Sequence, residues 1–263
     1  MNDSLYEEVT WAEIDLDAIA YNVRQLKGLI GERVELMAVV KANAYGHGAV
    51  PVAKIALENG ATRLAVNRPV GGIELREAGI TAPILILGYS PSWEAEAIVR
   101  YDLTPTVNER EVASALAEAA SSQGKVLPIH VEVDTGMGRF GLLPEEVVSF
   151  VKGLADFPSL RLEGFWTHFA VADEADKSYT YQQFETYRGV LRRLEEAGVE
   201  IPVRHVANSA AILDLPETHL GMVRCGIAIY GLYPSPEVHH SLPLRPAVSL
   251  KSHVARVRTL PAG

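Results

Sequence analysis

A lysine stands at the end of a short apolar run near the start of the chain. Residues 36–40 are apolar and end in two valines, which is typical of a buried strand, and Lys41 follows directly. Burial of a lysine stem disfavours the charged ammonium group and lowers its pKa, so the amine becomes a nucleophile suited to a Schiff base with an aldehyde cofactor. A surface lysine that ends a strand is the commoner use of this residue. Lys41 is therefore a candidate whose role depends on what lies downstream.

Polar side chains follow several of the later apolar runs. Arg139 lies in a glycine-rich segment, residues 134–141, and its guanidinium fork suits a carboxylate or a phenolic oxygen. Ser209 opens a helical pattern, and a helix N-terminus suits a phosphate. Arg224 and His168 each follow or end a strand candidate. Each residue also has a structural interpretation, as a helix cap, an ion pair or a satisfied rim histidine, so none identifies a site alone.

Five segments, in this order along the chain, resemble the motifs of the fold-type III alanine racemases. They are KANAYGHG at 41–48, DTGMGRFG at 134–141, THFA at 167–170, ANSA at 207–210 and VRCGIAIYG at 223–231. The resemblance runs from about Trp11 to the end of the chain. It implies a (β/α)₈ TIM barrel, pyridoxal 5′-phosphate (PLP) held as a Schiff base on Lys41, and interconversion of L- and D-alanine.

The resemblance also implies a role for each matched residue. Arg224 faces the pyridine nitrogen of PLP and is supported from behind by His205. His168 lies beside the cofactor ring, and Arg139 lies near the substrate carboxylate and the phenolic oxygen. The implied catalytic residues are Lys41, Arg139 and His168, and no metal ligand is assigned. The implied phosphate contacts are Tyr45, Ser209, Gly226 and Ile227.

The chain departs from the family pattern at two places. Glu132 stands where the family often carries a lysine that becomes carbamylated and orients the arginine matching Arg139. We expect Glu132 to hold Arg139 by a direct ion pair, which would make carbamylation unnecessary. The second departure is NRPVGG at residues 67–72, where the family usually begins a helix with acidic and small residues. The sequence offers no account of the proline and glycines there.

The composition is that of an ordinary globular protein. The 263 residues are 48% hydrophobic and 22% charged, with a formal charge of −9 that argues against nucleic-acid binding. Cys225 is the single cysteine, so an internal disulfide is excluded and a cytoplasmic location is the natural expectation. The acidic N-terminus has no apolar run like that of a signal peptide, and no run approaches the length of a membrane span.

Strand-like and helical patterns alternate along most of the chain. Eight strand candidates alternate with helices, which predicts a (β/α)₈ barrel over residues 12–238. Within this pattern Asp15 or Asp17 is predicted to cap the first helix, a short helix is predicted around 73–78, and Asn108 is predicted to cap the helix that runs to about Ala120. A doubly wound open sheet is the competing architecture, but every motif falls at or after the carboxyl end of a different strand, as in barrels. From His239 the pattern changes, and Val248 begins an alternation typical of a half-buried strand. Residues 1–11 and 239–263 are therefore predicted to belong to a second, β-rich domain, with Thr10 and its neighbours pairing with the later strand.

Three functions remain open at this point. The first is alanine racemisation, in which the family forms a homodimer and a tyrosine of the second domain supplies the second base. That tyrosine is expected beyond Gly263, so we expect the chain to lack it. The second is a single-domain PLP-binding protein of vitamin B6 homeostasis without turnover. The third is a decarboxylase of the same barrel class, whose motifs fit less well.

Overall fold

The structure, a computed structural model, describes residues 9–240 and 242–262. Predictions that concern residues 1–8 lie outside this range. The first strand, β1 (Thr10–Ile14), precedes the barrel. The barrel strands follow it in chain order as β2 Glu35–Val39, β3 Arg63–Val66, β4 Ile84–Ile86, β5 Thr104–Pro105, β6 Leu127–Glu132, β7 Leu160–Trp166, β8 Val203–His205 and β9 Met222–Cys225.

Right-handed helices separate these strands. In chain order they are α1 Leu16–Ile30, α2 Ala49–Glu58, α3 Pro69–Glu77, α4 Ala95–Arg100, α5 Arg110–Ser122, α6 Val147–Gly153, α7 Ser178–Glu196 and α8 Ser209–Asp214. Of the two candidates Asp15 and Asp17, Asp15 caps α1, since its Oδ1 accepts from the Ala18 N–H at 2.9 Å. In the described ranges, no helix combines the length and the apolar character that crossing a membrane requires.

The eight barrel strands close into a ring in chain order. Parallel ladders join β9, β2, β3, β4 and β5, and a second parallel ladder joins β6, β7 and β8. The gap between β5 and β6 is bridged where the Val107 N–H donates to the His130 carbonyl at 2.8 Å. The gap between β8 and β9 is bridged by the Arg224 N–H, which donates to the Ala207 carbonyl at 3.0 Å. The predicted barrel is therefore confirmed, and the open sheet is excluded.

Alternation along β2 shows how the barrel is filled. Leu36 and Ala38 pack outward in the core shared with the helices, while Met37 and Val39 pack inward. The inward cluster also contains Ala65, Leu85 and Met222 from β3, β4 and β9. Both faces of the strand are buried, as expected for a parallel sheet covered by helices.

Two local predictions are corrected by the structure. Asn108 was expected to cap α5, but its Oδ1 instead accepts from the Glu132 N–H at 2.9 Å and so ties the end of β5 to β6. The segment at 67–72 contains the start of α3, which therefore begins earlier than predicted. Pro69 lies in the first turn of this helix, where proline is favoured. A Cβ on Gly72 would lie 2.8 Å from a Leu103 methyl carbon, so the glycine lets α3 pack closely.

The strand predicted near the C-terminus forms, but not as expected. β10 (Val248–Ser252) pairs antiparallel with β1, with Thr10 opposite Ser252, which confirms the predicted partner. All five residues of β10 are exposed, so the expectation of a half-buried face was wrong for the described residues. We call β1 and β10 together the terminal ribbon.

Candidate active site

One cavity of about 370 Å³ opens at the carboxyl ends of the barrel strands. It collects side chains that are far apart in sequence, because parallel strands in a closed barrel end on the same face. Eight of the ten site residues named from the sequence line it: Lys41, Tyr45, Arg139, His168, Ser209, Arg224, Gly226 and Ile227. The remaining two, Glu132 and His205, lie outside its wall.

Lys41 follows the end of β2 and is held by an unusual turn. The next four residues, 42–45, have φ near +52 or +53, so the chain makes a left-handed turn where a loop was expected. The Asn43 carboxamide accepts from the Ala49 N–H at 2.7 Å and ties this turn to the start of α2. Burial, followed by the positive charge of Arg139, lowers the Lys41 pKa, which favours the neutral amine.

Ser209, Gly226 and Tyr45 form a polar cradle in the cavity. Ser209 was considered as a helix cap, but Asn208 caps α8, with its side chain accepting from the Ala211 N–H. The Ser209 hydroxyl instead accepts from the Gly226 N–H at 3.0 Å. A Cβ on Gly226 would lie 3.0 Å from the Tyr45 hydroxyl oxygen, so only a bare backbone leaves this cradle open.

Arg224 carries a buried positive charge at the floor of the cavity. Its Nη1 donates to Nδ1 of His205 at 2.9 Å, and its Nη2 donates to the Thr167 carbonyl at 2.8 Å. The indole ring of Trp166, which sequence reasoning missed, lies 4.6 Å from the guanidinium carbon. Burial lowers the Arg224 pKa to about 10, which still leaves the group charged near neutral pH. Within the described residues, no hydrogen bond uses the Nε–H of Arg224.

His168 faces the same arginine from β7's end. Its Nδ1 lies 3.3 Å from Nη2 of Arg224, and an arginine can only donate, so Nδ1 accepts and Nε2 carries the proton. Burial lowers the His168 pKa to about 3, with further lowering by the charges of Arg224, Arg139 and Lys41. His168 is therefore a neutral imidazole.

Glu132 lies next to the cavity without the partner that we expected. Within the described residues no ion pair joins it to Arg139, and its Oε2 is buried without a hydrogen-bond partner. Burial raises the Glu132 pKa to about 7, while Arg224 and then Arg139 oppose that rise. Both Glu132 and Arg139 line a neighbouring cavity of about 410 Å³ together with Ser90. The expected direct ion pair is therefore replaced by a longer-range attraction.

Three features define the class of protein to which the chain belongs. It is a closed (β/α)₈ barrel with a lysine at the end of its first barrel strand and a buried arginine on its last. A family model described as "Alanine racemase, N-terminal domain" matches residues 14–234. The chain belongs to the alanine racemase family.

Individual relatives agree with this family. The alanine racemase of Methanococcus maripaludis is 50% identical over 253 residues, covering 95% of this chain and 68% of that protein. The alanine racemase of Clostridium perfringens strain SM101 is 50% identical over 252 residues, covering 95% and 65%. A solved alanine racemase of Clostridium difficile 630, in complex with cycloserine, superposes with a TM-score of 0.93 at 45% identity, covering 97% and 70%. The chain thus spans about two thirds of the length of these relatives.

Proposed function

We propose that the protein is a PLP-dependent alanine racemase with its cofactor site in the barrel cavity. The observation that carries the proposal is the meeting, in one cavity, of the Lys41 amine, the Arg224 guanidinium and the cradle around Ser209 and Gly226. The named relatives, all alanine racemases, support the same activity. The barrel extent, residues 12–238, and the assignment of the flanking strands to a second domain belong to the proposal.

The residues present fit PLP. The cradle offers a hydroxyl from Tyr45, a hydroxyl from Ser209 and the backbone of Ile227, the kind of donor set that holds a phosphate, and the bare backbone of Gly226 leaves room for it. Arg224 lines the cavity, and its Nε–H, which no hydrogen bond among the described residues uses, would serve as a donor to a ring nitrogen. Lys41 supplies the amine with a lowered pKa that attachment to the aldehyde requires.

The chain's own residues then divide the work. Bound PLP would withdraw electrons from the substrate α-carbon and acidify its hydrogen. Lys41 would take or return a proton on the D-alanine face, which the lowered pKa of its amine favours. Arg139 would bind the substrate carboxylate and the phenolic oxygen. Arg224 would donate to the pyridine nitrogen without protonating it. The ring would then withdraw electrons less strongly than a protonated pyridine, which would limit side reactions such as transamination. His168 would lie beside the ring as a neutral imidazole.

The proposal includes a cellular role and a partner. D-Alanine would supply peptidoglycan synthesis in the cytoplasm, without any nucleic-acid or membrane partner. In the homodimer that we propose, the base on the L-alanine face would be a tyrosine of the partner's second domain, at a position beyond Gly263.

Exchange of the substrate α-hydrogen tests the proposal. PLP-loaded protein is given pure L-alanine or pure D-alanine in deuterated buffer and is followed by proton NMR. We expect loss of the α-proton signal from D-alanine at least, and from both enantiomers with inversion if the second base is present. The control variant is Lys54→Ala, which removes an exposed lysine of α2 and keeps exchange, whereas Lys41→Ala abolishes it. Bound PLP with no exchange from either enantiomer would favour the non-catalytic PLP-binding protein instead.

A further inference from the structure

A chain of hydrogen bonds, which we call the relay, joins Arg224, His205, His130, Glu163 and Arg63 and runs through the barrel, away from the cavity. It starts at Arg224, whose Nη1 donates to Nδ1 of His205 at 2.9 Å. Nε2 of His205 lies 2.9 Å from Nδ1 of His130 on β6. Nε2 of His130 lies 3.3 Å from Oε2 of Glu163 on β7, and that oxygen also accepts from Nη1 of Arg63 at 3.1 Å.

The two histidines of this relay are completely buried and hydrogen-bonded at every ring nitrogen. Burial lowers the pKa of His205 well below its ordinary value and also lowers that of His130, which favours a neutral ring with one N–H at each position. A neutral imidazole has one donor and one acceptor, so each ring must accept at one end and donate at the other. The hydrogen bonds of the relay must therefore all run in the same direction, with each ring accepting from one neighbour and donating to the next.

The arginine end imposes one direction. A guanidinium has no acceptor, so Nδ1 of His205 must accept from Arg224 and Nε2 of His205 must carry the proton. That N–H donates to Nδ1 of His130, which leaves the second proton on Nε2 of His130.

The glutamate end imposes the same direction independently. The hydrogen bond from His130, helped by Arg63, holds the Glu163 pKa at about 2, so Glu163 is a carboxylate that can only accept. Nε2 of His130 must therefore donate to it. Both ends require both histidines to be Nε2–H tautomers, and the relay has no conflicting bond.

The backbone of β7 is built around this relay. Gly164 lies opposite His130 in the β6–β7 ladder. A Cβ on Gly164 would come within 2.4 to 2.6 Å of three atoms of the His130 ring. The glycine therefore makes room for an imidazole that points across from the neighbouring strand, and any side chain there would displace it.

We infer that Glu163 is a positioning residue for Arg224, acting through His130 and His205. By accepting from His130 it stabilises the same tautomers that the hydrogen bond from Arg224 requires, and it thereby strengthens the acceptor that His205 presents to Arg224 on the side away from the cavity. The glutamate does not line the cavity and touches neither Arg224 nor the proposed cofactor site. The inference rests on the proposed function only in that Arg224 is taken to contact the cofactor.

Histidine tautomers measured on the protein without added cofactor test the relay directly. Protein labelled with ¹⁵N at histidine is examined by long-range proton–nitrogen NMR, with His130 and His205 assigned by single substitutions. We expect both rings to be neutral Nε2–H tautomers. A protonated ring or an Nδ1–H tautomer at either position would overturn the inference, whether or not the protein racemises alanine.

Three variants separate positioning from a merely structural ion pair. Glu163→Leu leaves the buried Nε2–H of His130 without an acceptor, so only the hydrogen bond from Arg224 still favours the Nε2–H tautomers. We expect mixed tautomers and about a tenfold lower kcat for α-proton exchange with little change in KM, the lower end of what orienting residues contribute at metal sites. Glu163→Gln keeps an oxygen that accepts from both His130 and Arg63, so it should restore the single tautomer and most of kcat. The control is Glu35→Leu, which cuts the other ion pair of Arg63 without contact to the histidines. Unchanged tautomers in Glu163→Leu, or equal disturbance in Glu35→Leu, would refute the positioning role.

Discussion

At the scale of single residues, Glu132 is the side chain whose environment departs furthest from the sequence expectation. It is buried with one carboxylate oxygen unpaired, although the charges of Arg224 and Arg139 attract it. The effect of burial exceeds this attraction, so the Glu132 pKa is raised from 4.5 to about 7. The carboxyl therefore ionises in the unfolded chain at a lower pH than in the folded chain.

This shift predicts a pH-dependent effect of Glu132→Gln on stability. Between pH 4.5 and about 7 the folded chain binds more protons than the unfolded chain, so the free energy of unfolding falls as pH rises through this window. The full penalty is about 3 kcal/mol above pH 7 and is absent below pH 4.5. We expect Glu132→Gln to raise the free energy of unfolding at pH 8 relative to wild type, and to leave it nearly unchanged at pH 4.5.

Urea unfolding at the two pH values measures this difference. The matched control is Glu118→Gln, which makes the same substitution at an exposed position of α5 and should change stability equally little at both pH values. A stabilisation by Glu132→Gln that is the same at pH 4.5 and pH 8 would show that repacking, and not ionisation, is responsible.

The sequence predicted the residue types of the site better than their partners. Lys41 and Arg224 could be found because each ends an apolar run within a specific motif. The relay through His130 could not be found this way, because its hydrogen bonds join His130 to residues that lie 33 and 75 positions away along the chain. Such a pairing follows from the closure of the barrel and from the space left at Gly164, and neither is a local pattern.

At the scale of elements, the turn after β2 carries backbone strain. Ala42 has a φ of +52 and its side chain is exposed, so its methyl group is strained without contributing to the core. The left-handed conformation costs an L-residue about 1–2 kcal/mol, which glycine avoids. The turn persists because the surrounding contacts hold it, including the bond from the Ala49 N–H to Asn43.

This strain predicts that Ala42→Gly stabilises the protein. The gain should be up to about 1 kcal/mol, because relief of strain outweighs the entropy that glycine loses on folding. The control is Ala115→Gly in the right-handed helix α5, where the same substitution should destabilise by about 1 kcal/mol. Both are measured by thermal and urea unfolding, and a loss of stability in Ala42→Gly as large as that in Ala115→Gly would contradict the prediction.

Element types followed from periodicity, and element edges did not. The start of α3 was placed too late because its first turn contains a proline and two glycines, which usually mark loops. Pro69 is accommodated because a first-turn residue needs no N–H partner within the helix, and Gly72 because Leu103 leaves no room for a side chain. The first turn is thus determined by packing against Leu103, which lies between α4 and β5, and a local pattern does not show this contact.

At the scale of the whole molecule, the chain divides by burial into a closed barrel and an open ribbon. Each barrel strand has a neighbour on both sides, joined by a ladder or by the hydrogen bonds that close the ring, and helices cover the barrel. The terminal ribbon has two strands, and within the described residues they pair only with each other. An isolated two-stranded ribbon is at best marginally stable in water, so local opening should expose it long before the barrel unfolds.

Hydrogen exchange should therefore show a sharp boundary at the start of β10. The Ala247 N–H donates to the Tyr230 carbonyl at 3.0 Å and Ala247 is buried, so this amide should be protected like those of β6 and β7. The amides of β10, which begins at Val248 and is exposed throughout, should exchange much faster. Exchange followed by NMR, residue by residue, measures both sides of the boundary in one sample. Equal protection in β10 and β7 would show that the ribbon has a covering surface, and the division into barrel and open ribbon would then be wrong.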